Sequence, residues 1–282
     1  MWFFEKALVA VDTRRACVAV YSNGRRGPSL LRFGSEPLDL QSQPGSYAET
    51  LRESRPAVER LIRALKPPMR GASCVLPIGA SFPSILEEPA LAKVTGSGVA
   101  EADVVRFRLA PLLPFPIAQA EVRTESSTSI GAGAVLAQAT PKAVISECEQ
   151  FMGSLGFSRL HVVSALSAAL RGLEARPGAV DLILGDSAFA LAVRSDAGGI
   201  ETIHLRLLVE GDDRTKRPVD EAIRASSDAS SVRILGADPR SFPAGGQGTE
   251  IVAAFPAPSP DVAGADPQLF PFLAIFHAGR SR

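Results

Sequence analysis

Two stretches of this chain spell one pattern about 170 residues apart, too far for a solenoid repeat and right for a duplicated domain. Val9 to Gly24 reads VAVDTRRACVAVYSNG, and Leu182 to Gly198 reads LILGDSAFALAVRSDAG. Each is an apolar strand, a polar turn, a second apolar strand and a turn ending in glycine. Short apolar runs between turn residues read as strands buried on both faces. The continuation also repeats. Ser29–Phe33 reads as a third strand, Tyr47–Leu65 as a helix and Ser73–Leu76 as a returning strand. In the second copy these are Ile200–Val209, Pro218 to about Ser226, and Val232–Leu235. Two such units impose an α/β class with mixed sheets in two halves.

The first helix carries Leu51, Val58, Leu61, Ile62 and Leu65 on one face, with Glu49, Arg52, Glu59 and Arg63 on the other. Pro56 falls inside it, and Pro67-Pro68 closes it. The apolar content of 46 % supplies a sizeable core. Lys plus Arg and Asp plus Glu balance at 30 each, so no net field draws nucleic acid. Cys17, Cys74 and Cys148 are odd in number and far apart, which fits neither a zinc site nor a disulfide framework. His161, His204 and His277 have no ligand-type neighbour at helical or strand spacing, so no metal site is expected. No G-x-S-x-G motif is present and no catalytic residue is assigned. Trp2-Phe3-Phe4 is interrupted by Glu5 and Lys6, so it is no signal peptide. Leu269–Phe276 is broken by Pro271 and too short to span a bilayer. Ala253–Asp266, rich in Pro and Ala, reads as an exposed loop.

Between the two copies, Val104–Val122 reads VVRFRLAPLLPFPIAQAEV. This is a helix, a corner at Pro114-Phe115-Pro116 and a strand, because neither proline continues a helix and each drives its predecessor extended. Phe115 on that corner reads as a core plug. Gly133–Ala139 is the next strand. Thr140-Pro141-Lys142 opens a helix to Leu155, and Arg159–Val163 is a strand. A helix with Arg-Phe, then Leu-Pro-Phe-Pro, an acidic strand, and Ala-Thr-Pro-Lys before a helix resembles the PilM proteins of type IV pilus machines.

That resemblance implies the actin-like (ribonuclease H-like) fold: two duplicated halves facing each other across a nucleotide cleft, with an α/β subdomain inserted in the first half, as FtsA also has. The expected division is 1–76 with 164–178 for the first half, 77–163 for the insert, and 179–282 for a second half. That second half is reduced, since Gly211-Asp212-Asp213-Arg214 leads almost directly into its helix and leaves no room for a capping insertion.

The family's cleft uses small residues and acids in the two hairpin turns. By resemblance, Asp12, Thr13, Gly185, Asp186 and Ser187 stand at vestigial nucleotide positions. Glycine there lets backbone amides approach phosphate, and acids hold magnesium. Arg14 and Arg15 replace small residues in the first turn. In the second, Ile183 and Ala190 stand where the family carries acids. The Gly-Gly turn for adenine is matched weakly by Gly236-Ala237-Asp238-Pro239 and Gly245-Gly246. No cofactor and no hydrolysis are therefore expected.

The resemblance then implies a non-catalytic cytoplasmic scaffold of a type IV pilus or related secretion machine. It would meet other pilus assembly proteins and reach the inner membrane only through a partner. It would bind the N-terminal cytoplasmic segment of a PilN-like inner-membrane protein in a groove between the first half and the insert. The alternatives are an ATP-binding actin-like ATPase or sugar-kinase relative using Asp12 and Asp186 with magnesium, and the cytoplasmic domain of a GspL-like type II secretion protein.

Overall fold

The computed structural model describes residues 5–24, 27–38, 46–87, 101–126, 130–131, 133–208, 216–225, 231–235 and 250–253. The expectations placed on Trp2–Phe4, Gly211–Arg214, Gly236–Pro239, Gly245–Gly246, most of Ala253–Asp266 and Leu269–Phe276 lie outside the described residues.

The first half is a meander of β1 (Glu5–Asp12), β2 (Arg15–Gly24) and β3 (Gly27–Pro37), followed by helix α1 (Tyr47–Leu65) and strand β4 (Ala72–Leu76). The second is a meander of β9 (Ala179–Leu184), β10 (Ala188–Arg194) and β11 (Ile200–Leu207), then helix α5 (Lys216–Ala225), β12 (Ser231–Leu235) and β13 (Glu250–Ala253). With β8 (His161–Ser164) at its end, the first five-stranded sheet runs β3-β2-β1-β4-β8, and the second runs β11-β10-β9-β12-β13. In both, the meander is antiparallel and the last two strands are parallel. The duplication read from the turns is thus repeated strand for strand, including a β13 that the sequence reading did not anticipate.

Side chains alternate across each sheet with the period of two that a pleated strand requires. Ala7, Val9 and Val11 of β1 face a cluster with Leu51, Val58 and Leu61 of α1. Leu8 and Ala10 face the opposite way with Cys17, Tyr21, Val75 and Ala165. Strands buried on both faces are apolar throughout, which is why β1 and β9 read as unbroken runs. Helix α1 starts at Ser46, whose hydroxyl accepts from the Glu49 amide while the Glu49 carboxylate accepts from the Ser46 amide. That capping box satisfies donors the first turn leaves open. Its buried Leu51, Val58 and Leu61 each contribute up to about 1.5–3 kcal/mol of apolar transfer.

The insert is a three-stranded antiparallel sheet, β5-β7-β6, made of β5 (Phe82–Glu87), β6 (Ala120–Glu125) and β7 (Ala134–Pro141), and covered by α2 (Glu101–Leu109). Phe115 does plug this subdomain, with its ring edge-on to Phe82 at 5.4 Å. Helix α3 (Lys142–Ser154) puts Ile145, Cys148, Phe151 and Met152 into the first half's core, and β8 pairs with β4. By packing, the chain has rejoined the first half at Lys142. Helix α4 (Ala165–Gly172) then crosses over, and its Leu166 and Leu170 pack on the second sheet.

The insert is fastened on two sides. On the first half, Gln138 Nε2 donates to Ser81 Oγ and Ser164 Oγ at 2.6 Å each, all three side chains being buried. Arg123 Nη1 donates to the Val162 carbonyl at 2.9 Å. On the second half, the Ile200 amide donates to the Ile130 carbonyl at 2.7 Å. Beside that bond a β-carbon on Gly131 would lie 2.9 Å from Gly199 Cα, and Gly131 has φ +121°, so neither space nor backbone admits a side chain there.

Candidate functional site

The two hairpin turns meet. Asp12 ends β1 and pairs with Arg15 at the start of β2, so Thr13 and Arg14 form the turn. The opposing turn is closed by the Gly185 amide donating to the Ala188 carbonyl at 2.9 Å. A β-carbon on Gly185 would sit 3.1 Å from that carbonyl and 3.2 Å from Ile78, so a side chain here would need its neighbours to give by a few tenths of an ångström. Across the gap, the Asp186 amide donates to Asp12 Oδ2 at 3.2 Å and the Ser187 hydroxyl donates to Asp12 Oδ1 at 3.1 Å. The Thr13 amide donates to Oδ1 at 2.8 Å. Behind the turn, the Tyr47 hydroxyl of α1 donates to the Val11 carbonyl at 3.2 Å and steadies the end of β1.

All five residues expected in the cleft come together, but in different roles. Backbone amides and hydroxyls of a tight turn are anion donors. The anion they hold is the chain's own Asp12 carboxylate. Asp186 contributes its amide to that contact, while its charge acts against Asp12. Burial first, and then the Asp186 carboxylate, push the Asp12 pKa from 3.8 up to about 6; the bonds from Thr13, Asp186 and Ser187 pull it back.

What remains of the cleft is about 140 Å³, lined by Val11, Val75, Leu76, Ile78, Ala165 and Leu184 besides the turns. Pockets for drug-sized ligands run from about 300 to 1,000 Å³. Ile183 and Ala190, at the positions where the resemblance would place acids, are both 0 % exposed inside the second half's apolar cluster. Of the residues lining the cleft, only Asp12 and Asp186 are acidic, and Asp12 is engaged with the opposite turn. Among the described residues no three His, Cys, Asp or Glu side chains gather as a metal site.

A second feature was missed in the sequence. An apolar groove of about 390 Å³ lies between the insert and the second half, lined by Gly79, Phe82, Pro83, Leu109, Leu112, Leu113, Leu205 and Leu207, with Ser84. Leu112 is 60 % exposed and Leu207 65 %. The available signal was the leucines at alternate positions near the end of β11, an outer strand with a partner on one side only.

A chain of the PilM–PilN type IV pilus biogenesis complex matches at TM-score 0.66 and 15 % identity, covering 99 % of this chain and 99 % of that one. A Bacteroides thetaiotaomicron protein of unknown function with an actin-like ATPase fold matches at TM-score 0.52 and 8 % identity, covering 84 % of each chain. The chain has the actin-like fold. The cytoplasmic domain of EpsL, an inner-membrane component of the Vibrio cholerae type II secretion system, matches at TM-score 0.46 and 10 % identity over 82 % of each chain, too low to carry an argument. No protein-family model and no curated protein matches the sequence. Among the described residues no helix is long and apolar enough to cross a membrane.

Proposed function

We propose that this actin-like protein is a non-hydrolysing cytoplasmic scaffold of a type IV pilus or related secretion machine. It binds the N-terminal cytoplasmic segment of a PilN-like inner-membrane protein and reaches the membrane only through that partner. The observation that carries this reading is the pairing of two features. The turns that grip phosphate in this fold grip Asp12, and an apolar groove stands open beside them. Likeness over the whole chain to a protein of the PilM–PilN complex supports the choice of partner. A short extended segment with a few apolar side chains suits a groove walled by Phe82, Leu112 and Leu207, because burying those side chains offsets the ordering of a segment disordered on its own. This groove opens toward the second half. Toward the first half, where the resemblance pointed, Gln138 of the insert bonds the buried hydroxyls of Ser81 and Ser164.

The test is fluorescence anisotropy with a labelled peptide of that segment, taken from the PilN-like protein of the same genome. The expected result is saturable binding that Leu207→Asp or Leu112→Asp weakens at least about tenfold, the loss of roughly one well-buried apolar contact. Absence of binding to the wild-type chain would sink the reading. Magnesium-dependent ATP turnover abolished by Asp12→Ala would favour the ATPase alternative instead.

A further inference from the structure

The cleft and the groove stand back to back, separated by one 3-10 turn, Ile78–Ala80. Ile78 lines the cleft and Gly79 lines the groove. The turn sits directly on the second half's hairpin. A β-carbon on Gly79 would lie 3.2 Å from Ala188 Cβ, 3.5 Å from Leu207 Cδ2 and 3.8 Å from Ser187 Oγ. Ser187 serves both sides. Its hydroxyl donates to Asp12 Oδ1 at 3.1 Å, and its carbonyl accepts from the Leu208 amide at 2.9 Å, directly after the groove residue Leu207.

The groove also draws its walls from the second half and from the insert. Leu205 and Leu207 belong to β11, whereas Phe82, Leu109, Leu112 and Leu113 belong to the insert. Its width is therefore set by how closely the second half is drawn against Gly79.

We propose that the Asp12–Ser187 contact across the cleft holds the β11 wall of the groove in place, so that closure of the cleft and binding of an apolar segment in the groove strengthen each other. The groove's identity as a peptide site rests on the function proposed above; the mechanical link does not. Separating the turns withdraws Ser187 from Asp12, and the Ser187 carbonyl carries Leu208 and Leu207 with it. Because coupling between two sites is reciprocal, an apolar segment seated between Leu207 and Phe82 holds the turns together by the same amount. Asp12 and Ser187 act here as positioning residues.

The experiment uses the full chain and two readouts. Amide hydrogen exchange is compared in the wild type, Ser187→Ala and Ser187→Thr, and affinity for the labelled peptide is measured for the same three. Loss of the hydroxyl is expected to speed exchange at Leu205–Leu208 about tenfold, leave β3 unchanged, and weaken peptide binding about fivefold or more, the lower range of allosteric coupling. Threonine, which keeps the hydroxyl, restores both. Faster exchange confined to Gly185–Ala188 overturns the link, and so does equal peptide affinity in wild type and Ser187→Ala. If the wild-type chain binds no peptide, the partner assignment fails and the exchange pattern alone decides the link. Ser187→Thr, which keeps the hydroxyl, separates a lost hydrogen bond from a misfolded variant.

Discussion

Ile183 and Ala190 face each other as directly paired residues of β9 and β10, and neither has any surface open to solvent. Both side chains lie in the cluster that also takes Leu166 and Leu170 of α4. The aliphatic side chains at these positions are therefore part of the core of the second half, not of its rim. Restoring one by Ala190→Asp forces a carboxylate among aliphatic carbons, where it must either pay desolvation or stay neutral. The expected outcome is a loss of several kcal/mol in urea unfolding and no magnesium-dependent hydrolysis. A variant as stable as the wild type that gains ATP turnover contradicts this account.

Asp12 gives the pH dependence a defined sign. Its pKa stands raised from 3.8 to about 6, chiefly by burial. The folded state therefore favours the neutral form. The associated stability is complete below about pH 4 and is lost as pH rises through about 6. The shift corresponds to at most about 3 kcal/mol, reduced by solvent at the partly open edge of the side chain. The charged and titratable groups around it are Asp186 and Arg15 in the cleft and Tyr47 behind it. Relative to Asp12→Asn, the wild type should gain about 1–2 kcal/mol when unfolding is measured at pH 4.5 instead of 7.5. A constant difference between the two proteins across that range would remove Asp12 from the titration.

Asp181 holds two buried guanidinium groups in the second half. Arg194 Nε donates to its Oδ2 at 2.7 Å and Arg233 Nε to its Oδ1 at 2.5 Å, while the arginines also donate to the Gly198 and Glu174 carbonyls. Removing the shared carboxylate leaves two positive charges facing each other without water. Asp181→Ala should cost about 3–5 kcal/mol in denaturant unfolding. A loss below about 1 kcal/mol would mean that solvent reaches this site in the folded protein.

Gln138 tests how firmly the insert is joined to the first half. Gln138→Leu keeps the approximate volume and removes the amide that donates to both hydroxyls, leaving Ser81 Oγ and Ser164 Oγ bonded to each other at 3.2 Å, for about 1–3 kcal/mol from two lost hydrogen bonds. Adding Ser81→Ala should recover part of that loss, because it removes the hydroxyl left with Ser164 as its partner and keeps Ser164, whose Oγ caps α4 by accepting from the Ser167 amide. Thermal unfolding of the single and double variants compares the two; no recovery would mean that the network does more than satisfy itself.

Much of the fold was legible because it rests on local signals. The apolar runs of β1 and β9, the turn residues and the helical face of α1 each announce themselves within a dozen residues, and α1 occupies the span read from its pattern, Tyr47–Leu65. Strand β5 was not legible: it is short and carries Pro83, which suits an outer strand but weakens the pattern. The return of the chain to the first half at Lys142 depends on which sheet the Phe151 and Met152 side chains meet, and no local window contains that. The five cleft positions came from the family resemblance, and the contacts they make did not. Asp12 and Ser187 are 175 residues apart, and only the fold reveals that one serves as the other's ligand. The groove drew on three separate stretches, and the partners of Asp181 lie 13 and 52 residues away, so neither left a motif.

The bond from Ile200 to Ile130, with Gly131 and Gly199 pressed backbone to backbone beside it, gives the insert a second anchor on the far half. A subdomain anchored at one end would swing when tugged. One riveted to both lobes shares the load between them, so a pull on the insert is passed to both halves rather than to one.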